Sequence, residues 1–185
     1  MKIYENTPWS DDKNLATAYN EFMELVPNDS WVLFRDADTM ILDPFYGTIL
    51  RLIIETYPEA SCFSAVTNRI GSPILHHNEY TGDDIVEHKR ICDNLLHNKG
   101  YHCSEMPYVE GKSTLSGFFF LIKKSAWEKV GGFKNYKGAR SNMLGVDNMI
   151  HKDLEAHGLK TMVMNGVYVY HWYRGGDSFN TSHLI

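Results

Sequence analysis

The sequence predicts a single α/β domain, and three observations lead to that class. The chain has 185 residues, which is enough for one sizeable core. Hydrophobic residues make up 43% and charged residues 22% of it, as in an ordinary globular protein. Segments with helical periodicity alternate with short apolar runs typical of buried strands, and this alternation indicates an α/β fold.

The net charge and the cysteine content exclude several classes of protein. A net charge of −5 gives no general attraction to nucleic acid or to an anionic membrane, so we expect no nucleic-acid partner. No apolar run reaches the length of a transmembrane helix, and the first residues lack the apolar core of a signal peptide. We therefore expect a cytoplasmic protein with no membrane span. Three sparse cysteines argue against a disulfide framework.

The first half of the chain alternates helices and buried strands. Its predicted elements are a helix at residues 10–26, a strand at 31–34, a helix at 44–57 and a strand at 61–66. Apolar residues at helical spacing define the first helix, which Ser10 or Asp11 is expected to cap. Asp43 followed by Pro44 is typical of a helix start. The two strands are continuous apolar runs, as in strands buried on both faces.

The second half begins with a polar stretch that contains two glycines and a proline, which predicts a loop. The predicted elements are this loop at residues 67–82, helices at 83–99, 125–130 and 146–157, and strands at 115–122, 161–164 and 167–173. Gly100 and Gly158 are typical C-terminal ends for two of the helices. The apolar run FFFLI at residues 118–122 predicts a buried strand.

Two carboxylates follow the first buried strand. Asp36 and Asp38 are two residues apart, so that both side chains face one way if the strand geometry continues. Ligands of open α/β sheets bind beyond the carboxyl ends of the strands, and paired carboxylates there suit Mg²⁺ or Mn²⁺ on phosphate oxygens. The alternative is a solvated turn with helix-capping acids, because an Asp-x-Asp pattern is common by chance.

Asp147 and His171 are the other candidates for chemistry. Asp147 lies in the first turn of a predicted helix, where the helix dipole favours an ionised carboxylate, so it suits a metal ligand or a general base. His171 lies near the end of the last predicted strand and suits Mn²⁺, while Arg174 could meet phosphate charge. The alternatives are an ordinary acid at a helix N-terminus and a structural histidine satisfied by the backbone.

The order of these segments is more specific than any one of them. The matching stretches are Glu5-Asn6 to Ala18-Tyr19-Asn20, Trp31 to Asp38, Asp43-Pro44, Ser116-Gly117 to Lys124, Trp127 to Gly131-Gly132-Phe133, Val146-Asp147 to Gly158, and His171. From about residue 5 to residue 173, this arrangement resembles the family 2-type glycosyltransferases with the GT-A fold. Tyr19 stands where that family often has arginine.

The resemblance implies a single GT-A-like, Rossmann-like domain over residues 1–185, with a central mixed, mostly parallel sheet flanked by helices. Residues 1–66 would form a remnant of the nucleotide- and metal-binding half, and residues 67–185 the acceptor-binding half with a C-terminal tail. The strand, helix and strand that begin the family's domain would lie before Met1, so the domain is expected to be truncated there. The sheet edge left open predicts self-association or a partner chain.

The resemblance also implies roles for individual residues. Asp38, with Asp36 and His171, would hold Mn²⁺ or Mg²⁺ on a nucleotide-sugar donor, and Asp147 would act as the general base. The remaining residues expected on the donor or substrate side are Arg35, Ser116, Gly117, Trp172 and Arg174. The acceptor would be a hydroxyl of a saccharide, a lipid-linked saccharide or another molecule.

Two other classes remain open from the sequence. One is a catalytically weak or inactive protein of the same fold that binds a sugar or a nucleotide. The other is a different metal-dependent transferase that handles a nucleotide, such as a nucleotidyltransferase.

Overall fold

The computed structural model of the protein describes residues 1–110, 112, 114–136 and 144–172. The helices in this part of the chain are α1 (Leu15–Leu25), α2 (Tyr46–Thr56), α3 (Ile85–Lys99), α4 (Lys124–Val130) and α5 (Val146–Ala156). The strands are β1 (Lys2–Asn6), β2 (Ser30–Arg35), β3 (Thr39–Ile41), β4 (Ala60–Thr67), β5 (Cys103–Glu105), β6 (Phe119–Lys123) and β7 (Lys160–His171). The α/β class predicted from the sequence is confirmed.

All of these strands belong to one mixed sheet. Its order is β1-β2-β6-β4-β7-β3, and β5 also pairs with β7. Strands β1, β2, β4 and β7 run in one direction, while β6, β3 and β5 run in the other. Because β6 lies antiparallel between β2 and β4, only two of the six strand pairings in the described residues are parallel. The sheet is therefore mixed as expected, but its pairings are not mostly parallel.

The two expected halves of the chain contribute to the same sheet. Strand β6 comes from the second half and separates β2 from β4 of the first half. Every residue of β4 is buried, and so are the first five of β2 and the first four of β6. Helix α1 packs on this centre through Tyr19, whose ring centroid lies 4.6 Å from that of Phe34 and 5.7 Å from that of Phe120.

The helix starts differ from those predicted. Helix α1 begins at Leu15, because the Asn14 side chain is its cap and accepts a hydrogen bond of 3.3 Å from the Thr17 amide. Ser10 instead accepts a hydrogen bond of 2.7 Å from the Asn14 amide, so neither it nor Asp11 caps the helix. The capping residue is the one whose side chain accepts a hydrogen bond from a free amide in the first turn of the helix. Several polar residues precede α1, so the sequence alone does not show which of them is the cap.

The second helix also starts later than predicted. Asp43 accepts a hydrogen bond of 2.7 Å from the Phe45 amide, and α2 begins at Tyr46 with Phe45 at the cap position. Asp43 therefore orders the turn before the helix. Helix α3 follows its prediction closely, with Asp84 as its cap and Gly100 at its end with a φ of +53°.

The other differences between the predicted and observed elements concern the short strands β3 and β5 and the long strand β7. The three-residue strands β3 and β5 have too few residues to show a periodic pattern, and the sequence did not predict them. Residues 161–164 and 167–173 were expected as two strands, but β7 is continuous from Lys160 to His171. Gly166 lies within β7, where its backbone closely approaches Gly100. A glycine inside a strand often marks such a contact rather than a break.

The remaining general expectations concern cysteines and the membrane. Cys62, Cys92 and Cys103 are buried and free, as their sparse spacing suggested. None of the helices in the described residues combines the length and apolar composition needed to cross a bilayer.

Candidate active site

The strand directions bring the candidate residues to one edge of the sheet. Asp36 follows β2 and His171 ends β7, and these two strands run in the same direction. Strand β3 lies antiparallel to β7 with Thr39 opposite His171. Asp38 directly precedes Thr39, so the register places it beside His171, and the Trp172 amide donates a 2.9 Å hydrogen bond to the Asp38 carbonyl.

Asp36, Asp38 and His171 form a compact group of potential metal ligands. One ligand atom from each residue lies within 4.8 Å of the others. Within the group, His171 Nε2 and Asp38 Oδ1 are 3.3 Å apart. The three residues expected to hold a cation therefore lie close together, and their role as ligands stays a prediction. Two carboxylates with one imidazole suit Mn²⁺ better than Mg²⁺, since Mg²⁺ strongly prefers oxygen ligands.

His171 is held in place from three sides. It is 2% exposed, and its backbone amide donates a 2.9 Å hydrogen bond to Asn68 Oδ1. Its Nδ1 lies 2.9 Å from the Arg69 carbonyl oxygen, which can only accept, so Nδ1 carries a proton. The Phe118 ring stacks on the imidazole at a centroid distance of 5.4 Å. Together these contacts turn Nε2 toward Asp38, which is the orientation a metal-binding histidine needs.

The two carboxylates differ in their pKa values. Burial raises the pKa of Asp36 to about 6; His171 opposes this shift, while Asp38 and Asp147 add to it. The pKa of Asp38 is lowered, chiefly by its hydrogen bond with His171 and against the effect of burial. A divalent cation between them would favour the ionised form of both, so Asp36 is the carboxylate that gains most from a cation.

Asp147 lies in the first turn of α5, and its side chain contacts the backbone just before β6. Its Oδ2 accepts a 2.9 Å hydrogen bond from the Gly117 amide, and its Oδ1 accepts one of 2.8 Å from the Asn148 amide. Burial raises the pKa of Asp147 despite these hydrogen bonds. The residue after Gly117, Phe118, accepts a 3.0 Å hydrogen bond from the Asp36 amide. The segment Gly117-Phe118 thus connects Asp147 to the carboxylate group.

A cleft of about 360 Å³ opens beside Asp147. Asn148 lines this cleft and also places its side-chain amide 3.4 Å from Asp147 Oδ1. Tyr108, Tyr136 and Lys152 lie among its other lining residues. Aromatic faces with nearby charged groups are typical of sites for polar ligands that also have apolar faces.

The other residues predicted on the substrate side have different environments. Arg35 forms an ion pair with Glu5 at 2.5 Å and lies beside the carboxylate turn. Ser116 is partly buried next to Gly117, and Trp172 is 50% exposed directly after His171. Arg174 lies outside the described residues.

Three residues at this edge were missed from the sequence. Asn68 and Arg69 follow β4 in the predicted loop and hold His171, but no local pattern marks them. Tyr19 was assigned to the apolar face of a helix, and its ring does pack in the core. Its hydroxyl group, however, points toward the site, because an ideal Cβ on Gly117 would lie 3.3 Å from Tyr19 Oη.

Comparison with known proteins does not assign the chain to a family. No protein-family model matches the chain, and a search of the curated proteins finds no significant match.

Proposed function

We propose that this chain is a metal-dependent glycosyltransferase that moves a sugar from a nucleotide-sugar donor to a hydroxyl acceptor. The observation that carries the proposal is the grouping of Asp36, Asp38 and His171 within 4.8 Å. The Gly117-Phe118 segment joins this group to Asp147, which suits a general base. Metal ligands and a base on adjoining strand and helix ends are the combination that such a reaction requires.

Asp36, Asp38 and His171 would hold Mn²⁺ or Mg²⁺ on the donor diphosphate. The cation would supply neutralisation of the negative charge that develops on the leaving nucleoside diphosphate. His171 is suited to this role because the Arg69 carbonyl holds a proton on Nδ1, so that a cation at Nε2 replaces only the hydrogen bond with Asp38. Asp38 is kept ionised by its contact with His171, so one anionic ligand is present before a cation binds.

Asp147 would take the proton of the acceptor hydroxyl as that oxygen attacks the anomeric carbon. The bond to the diphosphate breaks as the new glycosidic bond forms, so the anomeric configuration inverts. The raised pKa of Asp147 brings it closer to neutral pH, where a general base works best. Its Oδ1 lies beside Asn148 and the cleft, and we assign the acceptor to that cleft.

The open edge of the sheet is a possible site for pairing with another chain. Among the strands of the described residues, β1 is the last one on its side of the sheet, and it has five residues. Because an edge strand leaves backbone groups unpaired, we propose that β1 pairs with a second copy of the chain or with a partner chain. Sedimentation at several concentrations tests this, and a monomer at all of them that binds one nucleotide selectively would contradict it. The cytoplasmic location stays a prediction.

Product analysis tests the proposed reaction. The protein is incubated with Mn²⁺, a panel of nucleotide sugars and saccharide acceptors, and we expect glycosylated product with release of nucleoside diphosphate. In a parallel incubation with nucleoside triphosphates and sugar phosphates, release of pyrophosphate would instead indicate a nucleotidyltransferase. Binding of nucleotide sugars without product, under conditions where Mn²⁺ stabilises the protein, would indicate the inactive sugar-binding protein.

A further inference from the structure

The cleft beside Asp147 has an excess of positive charge among the residues that line it. Lys112, Lys152 and Glu110 are its charged lining residues, and the others are uncharged. Lys152 pairs with Glu110, whereas Lys112 forms no ion pair with another described residue. The described lining therefore has a net charge of +1, in a chain whose net charge is −5. A local excess of positive charge on an acidic protein favours an anionic ligand.

The ammonium group of Lys152 is positioned by two neighbours but keeps room for a ligand. Its Nζ lies 5.8 Å from the Tyr108 ring centroid, and the Tyr108 ring packs edge-on against the buried His151. The two contacts of Nζ with Glu110 are 3.3 and 3.4 Å, which is long for a hydrogen bond, and the Glu110 side chain is 81% exposed. Because an ammonium group has three donors and this exposed pair is weak, Lys152 can also donate to a ligand.

Tyr136 provides an accessible aromatic ring in the same cleft. The residue is 53% exposed, and it packs against the backbone at Gly145, where α5 begins. An ideal Cβ on Gly145 would lie 3.0 Å from Tyr136 Cβ, and the φ of Gly145 is +77°, so this close packing favours glycine at position 145. An accessible aromatic ring can cover the apolar face of a ring-shaped ligand.

Asn148 and Lys152 relate this cleft to the proposed base. They are four residues apart on α5, so their side chains leave one face of the helix with Cβ atoms about 5–6 Å apart. The Asn148 amide lies 3.4 Å from Asp147 Oδ1. We propose that the cleft binds an acceptor saccharide that carries a carboxylate or phosphate, with the sugar ring against Tyr136 and the anionic group at Lys112 and Lys152. This assignment rests on the proposed function and names the chemical class of the acceptor.

Titrations followed by ligand-observed NMR test this class with the full chain in EDTA. The probes are the methyl glycosides of glucose, galactose and mannose, their 6-phosphates and the matching uronides, with inorganic phosphate and UMP as competitors. For the sugar that binds best, we expect the anionic forms to bind about fivefold more tightly than the neutral form, as a weak ion pair provides. This difference should shrink between about 50 mM and about 500 mM NaCl, because salt screens exposed charges.

Matched variants separate the two parts of the assignment. Lys112→Gln and Lys152→Gln should each weaken binding of the anionic sugars about threefold to fivefold and change binding of the neutral sugar less than about twofold. Tyr136→Ala should weaken all forms to a similar extent, because they share the ring. Two controls alter exposed side chains outside the cleft and should bind as the wild type does. They are Lys160→Gln, which removes a lysine paired with a glutamate, and Tyr101→Ala.

The outcomes distinguish the assignment from the proposed function. A preference for anionic sugars that both cleft lysines carry, and that the controls keep, supports the assignment. Equal binding of neutral and anionic sugars would overturn it, and so would phosphate or UMP that binds as tightly as the sugar phosphate. No binding of any sugar, even when Mn²⁺ and UDP are added, would overturn it as well. A chain that binds anionic sugars selectively but forms no product from nucleotide sugars would retain the ligand class and overturn the proposed function.

Discussion

Replacing Asp36 with asparagine is expected to stabilise the metal-free protein at neutral pH. The folded-state pKa of Asp36 is about 6, against an ordinary value of 3.8, and burial is the main cause. A raised carboxyl pKa means that the folded state binds the proton more tightly than the unfolded state does. The contribution of Asp36 to stability is therefore fully present below pH 3.8, declines as the pH rises, and is lost above about pH 6.

The size of the effect follows from the two pKa values. A difference of 6 − 3.8 = 2.2 pKa units corresponds to at most about 3 kcal/mol at pH 7. Asp36 is only partly buried, so solvent screening reduces the expected gain to about 1–2 kcal/mol. The asparagine side chain has the same shape as that of aspartate but carries no charge. The gain in the free energy of unfolding should disappear near pH 4, because Asp36 is protonated there.

Asp38→Asn is the matched control, because the pKa of Asp38 is shifted in the opposite direction. Its carboxylate is stabilised by His171 at 3.3 Å, so its loss should destabilise the metal-free protein. Mn²⁺ at one hundred times its Kd should stabilise the wild type by about 2.7 kcal/mol, and both variants should lose most of this. Urea unfolding at pH 4 and 7, with EDTA or Mn²⁺, measures all of these quantities.

Two results would refute this reasoning. If both asparagine variants destabilise the metal-free protein at pH 7, the assigned environments of the two carboxylates are wrong. If Asp36→Asn keeps the full stabilisation by Mn²⁺, Asp36 is not a metal ligand, whatever its effect on the metal-free chain.

Three further predictions concern pH, turnover and packing. The affinity of the wild type for Mn²⁺ should rise as the pH increases through about 6, because Asp36 must lose its proton, and calorimetry in two buffers would show that release. Asp147→Asn should abolish turnover while nucleotide-sugar binding persists, and near-normal turnover would exclude the base role. Gly166→Ala should destabilise the protein by about 2–3 kcal/mol in urea unfolding, because the new Cβ would lie 2.0 Å from the Gly100 carbonyl oxygen. Gly71→Ala should change stability by less than about 0.5 kcal/mol, and a similar loss in both variants would argue against the steric explanation.

The sequence predicted the site residues that have a chemical signature. Asp36 and Asp38 stand out because two acids follow an apolar run, and His171 because an imidazole ends a strand. Their convergence depends on strand order, which the family resemblance supplied and the local pattern did not. Asn68 carries no such signature, since its contact with His171 depends on where β4 ends beside β7.

Tyr19 shows a different limit of sequence-based prediction. Its position on the apolar face of α1 correctly predicts a buried ring. Its hydroxyl group has no hydrogen bond within the described residues, and this depends on distant atoms such as those of Gly117, which no periodic pattern in α1 can report. The same holds for β3, whose three residues form a strand because β7 offers them an edge.

The direction of β6 and β3 explains why so many functional groups reach one edge of the sheet. In a wholly parallel sheet, only residues that follow strands meet there, as Asp36 and His171 do. Because β6 and β3 run in the opposite direction, the residues that precede them also lie at this edge. Gly117 precedes β6 and Asp38 precedes β3, so the second proposed metal ligand and the segment that contacts Asp147 both depend on antiparallel strands. The antiparallel pairings that depart from the expected sheet are thus the ones that complete the site.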